Sequence, residues 1–169
     1  MPLSELLAII PASGLGSRFG MPKADAEIDG TSFAEHITGL LKAGGVANIV
    51  LARYPDSPDM LSSIKRAVLE HPGFRAWLIW PVDHIFVRPA TLQALLDTWT
   101  AMPDALIRPV LAGRNGHPVI VPAWLDLEAD HHDQGLAGLI REQVCTVIDV
   151  PVEDMGILRN VNRREDMEI

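Results

Sequence analysis

The chain is poor in several things that would have announced a function. It has one cysteine in 169 residues, Cys145, which excludes an internal disulfide and fits a reducing, cytoplasmic setting. Cys145 itself reads as a small buried hydrophobe. Positive charge is scarce: 14 Lys and Arg stand against 22 Asp and Glu, a formal charge of −8. A general nucleic-acid interface built from a basic face is therefore not expected. No apolar run approaches the roughly 20 residues that span a bilayer, so no membrane partner is expected. The N-terminus lacks the basic region and small-residue cleavage site of a signal peptide. The four tryptophans are scattered and read as core or rim residues. Repeats, low-complexity tracts and an interdomain linker are also missing, and one domain over residues 1–169 is expected. No pattern specifies an oligomer.

What is present is a globular composition, 48% hydrophobic and 21% charged, and one dense stretch near the start. Leu6, Leu7, Ala8, Ile9 and Ile10 form an unbroken apolar run, as in a parallel strand covered on both faces. Gly14, Gly16 and Gly20 follow, interleaved with Ser13 and Ser17 and ending in Arg18 and Lys23. Glycines this dense let backbone approach a ligand closely. Successive N–H groups in such a turn make an anion nest, and Arg18 and Lys23 add fixed positive charge. The stretch reads as a polyphosphate loop. It is not G-x-x-x-x-G-K-[ST], because Met21 and Pro22 separate Gly20 from Lys23. It is not G-x-G-x-x-G either, since position 19 is Phe and Gly20 falls one place late.

The rest of the chain alternates strands and helices. Strands are expected over 47–52, 76–80, 105–110, 119–121 and 145–150, with helices over 33–41, 61–69, 88–102 and 136–142. Thr31 or Ser32 is the expected N-cap of the first helix, and Gly44-Gly45 its stop. Such alternation with short links implies a three-layer α/β/α domain on a mostly parallel sheet. Asp83 stands just beyond the third strand, where open α/β sheets place their ligand sites. A carboxylate there suits Mg²⁺, which takes one or two carboxylates plus phosphates and water; the alternative is a cap for the next helix. His117 lies in an Asn-Gly-His-Pro turn, where a lone His serves either structure or a ligand. His131-His132 beside Asp130 and Asp133 reads as a solvated polar loop, because adjacent residues rarely face one ion together.

Residues 12–23, Ala-Ser-Gly-Leu-Gly-Ser-Arg-Phe-Gly-Met-Pro-Lys, resemble the A-x-G-x-G-x-R-x-G-x-x-K signature of nucleotidyltransferases with a GT-A-like, Rossmann-like fold. Residues 78–87, ending the strand at Asp83, are similar to the strand that carries that family's metal-binding Asp. Residues 113–119 resemble the G-x-x-G-H-P element of the MobA-like branch, closest to molybdenum cofactor cytidylyltransferases. Weaker likenesses fall at 60–64, 133–137 and 160–166. At the last of these Asn160 and Asn162 replace the family's aspartates, and at 137 an Ala replaces its Arg. The chain is also short between the second strand and Ser62, as if one helix and strand of that fold were missing.

The resemblance implies transfer of a nucleotide monophosphate from a nucleoside triphosphate to a phosphate-bearing acceptor, with release of pyrophosphate. It implies CTP as donor, with GTP as the alternative, a molybdopterin-type acceptor, and Mg²⁺ as cofactor. Implied nucleotide contacts are Ala12, Ser13, Gly14, Leu15, Gly16, Ser17, Ser62 and Ser63. Implied catalytic residues are Arg18, Lys23 and Asp83, with His117 at the acceptor and Asp83 and Asn162 on the metal. The alternatives are transfer to a sugar phosphate or other small phosphate, and a nucleotide-binding relative that has lost turnover.

Overall fold

The computed structural model describes residues 2–14, 18–128, 135–142 and 145–168. The apolar run near the start is strand β1 (Leu6–Pro11), buried along its whole length. A two-residue hairpin follows, β2 (Glu27–Ile28) and β3 (Thr31–Ser32). Its Asp29-Gly30 turn has positive φ at both residues, 50° and 77°, the backbone a type I′ hairpin requires. Helix α1 (Phe33–Ala43) starts at a capping box, in which Ser32 and Glu35 satisfy each other's backbone N–H. Strand β4 (Asn48–Ala52) and helix α2 (Met60–Glu70) come next, then β5 (Ala76–Ile79) and α3 (Pro89–Ala101). The remaining elements are β6 (Leu106–Leu111), β7 (Arg114–Asn115), β8 (Val119–Pro122), α4 (Gly135–Glu142) and β9 (Val147–Pro151). Residues 53–59 alone join β4 to α2.

The seven-stranded sheet runs β4-β1-β5-β8-β6-β7, with β9 also pairing β6. β4, β1, β5, β6 and β9 point one way, and β8 and β7 run against them. The mostly parallel expectation therefore holds, with one reversed strand inside the sheet. Alternation along β1 divides its side chains between two cores. Leu6, Ala8 and Ile10 pack on one face with Phe33, Ile37 and Leu41 of α1 and Leu92, Leu95, Leu96 and Trp99 of α3. Leu7 and Ile9 pack on the other with Leu61, Ile64 and Ala67 of α2 and Leu136 of α4. That is the three-layer arrangement, produced by the period of two along a strand.

β1 pairs β4 on one side and β5 on the other, and the helices that follow β1 and β4 lie on opposite faces. The crevice beyond the carboxyl ends of β1 and β5 is thus a topological switch point. Two backbone bonds prolong the pairing into it: Trp80 donates to the Ile9 carbonyl at 3.0 Å and Val82 to Pro11 at 3.3 Å.

Candidate active site

The glycine-rich stretch and Asp83 emerge side by side at that crevice. After β1, Ala12 N–H donates to the Ala52 carbonyl. The Ser13 hydroxyl stands 3.1 Å from the same carbonyl, accepts from Tyr54 N–H at 3.0 Å and lies 2.6 Å from the Ser63 hydroxyl. Ser13 is therefore a rivet that fixes the start of the loop to β4 and α2. Leu15, Gly16 and Ser17 lie outside the described residues. Beyond them Phe19 is buried and packs edge-on against Phe33 at 5.9 Å, anchoring the loop's far side to α1. Arg18 and Gly20 remain exposed, Gly20 with φ of 84°.

Lys23 turns back into the crevice. Its Nζ donates to Asp83 Oδ2 at 3.0 Å and to Asn162 Oδ1 at 2.7 Å. Asn162 arrives from the far end of the chain because Val161 N–H donates to the Asp83 carbonyl at 2.8 Å. One oxygen of the Asp166 carboxylate then accepts both the Asn162 and the Arg163 N–H at 2.8 Å. Those backbone bonds hold the Asp166 carboxyl below its ordinary pKa.

Asp83 has a second neighbour. His84 Nδ1 lies 3.0 Å from Asp83 Oδ1. Burial pushes the Asp83 carboxyl up, but the His84 bond and charge, together with Lys23, outweigh it and hold the pKa at about 2. The loop carrying these residues is tied down by Trp80 Nε1 donating to the His84 carbonyl and by His36 Nε2 against that of Ile85. Asp83 does not cap α3. That task falls to Asp154, 3% exposed, which accepts from Arg88 N–H at 2.8 Å and from the Thr91 hydroxyl at 2.6 Å.

A cleft of about 240 Å³ opens here, walled by Ala12, Ser13, Gly14, Lys23 and Asp83 and closed opposite by residues 57–60. Ser62 and Ser63 do not line it. Ser63 is fully buried and its hydroxyl meets Ser13 and the Asp59 carbonyl, while Ser62 donates its N–H to the N-capping Asp59. Ser63, expected at the nucleotide, is placed behind Ser13, with the two hydroxyls 2.6 Å apart. Met60 is shared with a larger cavity of about 680 Å³ that includes Arg108, His117, Ile140 and Cys145. His117 packs edge-on against His84 at 4.8 Å between ring centres. Its Nδ1 is buried with no hydrogen-bond partner among the described residues, and burial, reinforced by His84 and opposed by Asp83, pushes its pKa down to about 4. Cys145 is half-buried rather than fully buried, and burial raises its thiol pKa. Asn160 is exposed. The polar stretch 129–134, with its His pair, lies outside the described residues.

Among the described residues no group of three or more His, Cys, Asp or Glu side chains gathers as a metal cluster. The fit to a hard divalent ion rests instead on two oxygens of the right chemistry. Asp83 Oδ2 and Asn162 Oδ1 both reach one cationic nitrogen, Lys23 Nζ. A carboxylate and an amide carbonyl converging on one cation suit Mg²⁺ or Mn²⁺, whose remaining positions go to water and phosphate oxygens. His84 and Asp166 fall inside the 78–87 and 160–166 likenesses without a role assigned to them there. Asp154 has no signal in the sequence beyond its residue type, since its partners Arg88 and Thr91 are brought by the fold.

The sequence matches the MobA-like NTP transferase domain family over residues 8–147. The chain is a MobA-like NTP transferase. Among curated proteins none matches its sequence. Among solved structures, Rv0371c from Mycobacterium tuberculosis is similar with a TM-score of 0.74 at 18% identity, covering 95% of this chain and 94% of that one. Molybdopterin-guanine dinucleotide biosynthesis protein A from Archaeoglobus fulgidus gives 0.64 at 18%, with 95% and 94% covered. The 2-C-methyl-D-erythritol 4-phosphate cytidylyltransferase from Thermus thermophilus gives 0.67 at 16%, with the same coverage. Identities this low make these likenesses of fold. Membership of the MobA-like family places the chain among the nucleotidyltransferases, and the matched stretch stops before Asp154, Asn162 and Asp166.

Proposed function

We propose that this MobA-like transferase moves a nucleotide monophosphate from a nucleoside triphosphate to a phosphate-bearing acceptor, with Asp83 and Lys23 at the centre of the reaction. The observation that carries the reading is the convergence of Asp83 and Asn162 on Lys23, beside a cleft lined by Lys23, Asp83, Ala12, Ser13 and Gly14. An oxygen of the acceptor phosphate attacks the α-phosphorus, the bond to the bridging oxygen breaks, and pyrophosphate leaves. Little covalent work falls to the protein, so positioning and charge neutralisation supply the rate.

In this reading the backbone of residues 12–17 cradles the triphosphate, and Arg18 and Lys23 neutralise charge on the α-phosphate and departing pyrophosphate. Asp83 and Asn162 hold Mg²⁺, which when bound polarises phosphoryl oxygens and offsets their charge. His84 orients the Asp83 carboxylate. His117, neutral near pH 7 and at the edge of the larger cavity, contacts the acceptor. That cavity, about 680 Å³, is of the size that takes a drug-sized ligand, which supports a molybdopterin-type acceptor over a simple sugar phosphate. Fold relatives include a cytidylyltransferase and a guanine-dinucleotide biosynthesis protein, and CTP is the donor we favour, with GTP second.

One observation favours a second reading, a nucleotide-binding relative without turnover: Asn162 brings no charge to the ion. Pyrophosphate release with each of the four NTPs and Mg²⁺, with and without molybdopterin-type cofactor, separates the two. Release that requires one nucleotide, the acceptor and an intact Asp83 is expected. Nucleotide binding without any release supports the second reading.

A further inference from the structure

Asp83, Asn162 and Lys23 together carry no net charge. Asp83 contributes one negative charge, Asn162 none, and the Lys23 ammonium one positive charge at 3.0 and 2.7 Å from the two oxygens. Both candidate ligand oxygens are already spent on Lys23. The carboxylate's other oxygen faces His84 Nδ1, so a free ion must compete at Asp83 with a cation already seated there. A divalent ion arriving alone would meet a cation in its place and no net attraction.

We infer that Lys23 is a resident placeholder for the divalent ion, exchanged only when the ion arrives as a metal–nucleotide complex. The triphosphate supplies what the bare site lacks. Its anionic oxygens draw the Lys23 ammonium off Asp83 and Asn162, and the two freed oxygens take the ion the nucleotide carries. Lys23 is suited to the exchange because its ammonium is a point charge on a flexible stem, and its side chain is only 21% exposed, within the cleft rather than in bulk water. Because Asn162 is uncharged, the order is enforced: free metal is refused and metal–nucleotide is accepted. An enzyme with this device does not load metal in the absence of substrate. The inference rests on the proposed role of Asp83 as a metal ligand.

The test is Mn²⁺ binding, read by loss of the free-ion electron paramagnetic resonance signal, with and without a non-hydrolysable α,β-methylene analogue of CTP or GTP. Wild type is compared with Asp83→Asn, Lys23→Met, Asn162→Asp and each of the last two combined with Asp83→Asn. Wild type is expected to show Asp83-dependent Mn²⁺ binding only when nucleotide is present. Lys23→Met is expected to bind Mn²⁺ alone at least about tenfold more tightly, as removal of a unit charge this close predicts, and to lose the gain with Asp83→Asn. Asn162→Asp keeps the lysine, adds one negative charge and should gain nucleotide-free affinity too, which protects the test if Lys23→Met folds poorly. Nucleotide-free binding no tighter in either variant than in wild type overturns the exchange. If Mn²⁺ with nucleotide binds equally well without Asp83, the metal-ligand reading fails and the exchange with it. Asp83-dependent binding with nucleotide, but no gain in either variant, sinks the exchange alone.

Discussion

Lys23 and Asn162 are 139 positions apart in the sequence and meet at 2.7 Å. What brings them together is the C-terminal segment, which returns across the crevice after β9 and is pinned by Val161 to the Asp83 carbonyl. Arg159 lies over the Phe86 ring at 3.9 Å and donates to the carbonyls of Asp166 and Glu168. The tail thus brings Lys23 a partner that the phosphate loop alone does not provide.

The approach of Asn162 depends on Asp166, whose one carboxylate oxygen collects the N–H groups of Asn162 and Arg163. Asp166→Ala removes the bracket without touching the cleft. Loss of a group that orients a ligand residue typically costs about tenfold or more. We expect kcat/KM to fall about tenfold with the melting temperature little changed. Unchanged kinetics would show that the tail holds Asn162 by other means.

His117 gives the site a pH signature in stability. Burial depresses its folded-state pKa to about 4, whereas an unfolded imidazole titrates near 6.5. Between those values the unfolded chain binds the extra proton, so stability rises with pH through the window. The contribution is complete above about pH 6.5 and is lost as pH falls toward 4. At about pH 5 the loss amounts to about 2 kcal/mol at most. Guanidinium unfolding of wild type and His117→Gln near pH 7.5 and pH 5 reads it as a difference. The variant should lose less stability than wild type on acidification. Equal losses would count against a neutral buried His117.

Asp154 carries the largest structural cost we expect from a polar substitution. It is nearly fully buried and accepts from Arg88 N–H, the Thr91 hydroxyl and Gly156 N–H. α3 has no cap of its own, its N-cap position being Arg88. Asp154→Ala leaves donors buried without acceptors, each costing about 1–3 kcal/mol. Destabilisation of about 3 kcal/mol or more is expected in denaturant unfolding, and a loss below about 1 kcal/mol would contradict the assignment.

The turn before His117 is held by close approach. A Cβ at Gly116 would lie 2.6 Å from Ile157 Cβ and meet its carbonyl oxygen. Gly116→Ala must therefore push the turn and the C-terminal segment apart. Overpacking of this kind costs about 1–3 kcal/mol. We expect a loss of that size in urea unfolding together with a raised KM for the acceptor. Unaltered stability would mean that Ile157 yields freely.

The layered fold was legible because β1 is a continuous apolar run and the helices carry clear periodicity; Ser32 and Gly44 bounded α1 as expected. The β2–β3 hairpin has only its Asp29-Gly30 turn as a sequence signal, since two-residue strands leave no period to read. β7 is hidden in a turn for the same reason. Lys23 and Asp83 announced themselves by motif and position, and the structure brings them together at 3.0 Å. The supports did not. Asp154 and the Ser13–Ser63 contact owe their roles to partners 66 and 50 positions away, a distance local pattern does not encode. His84 and Asp166 act on near neighbours through a geometry that only the fold sets.

The most direct measurement follows the α-phosphorus itself. With α-³²P-labelled NTP, Mg²⁺ and a molybdopterin-type acceptor, wild type should place the label on the acceptor in step with pyrophosphate release. Lys23→Ala and Asp83→Ala should each lower that transfer by about a hundredfold or more while remaining folded. Label that passes to the acceptor at wild-type rates in both variants would contradict a reaction centred on Lys23 and Asp83.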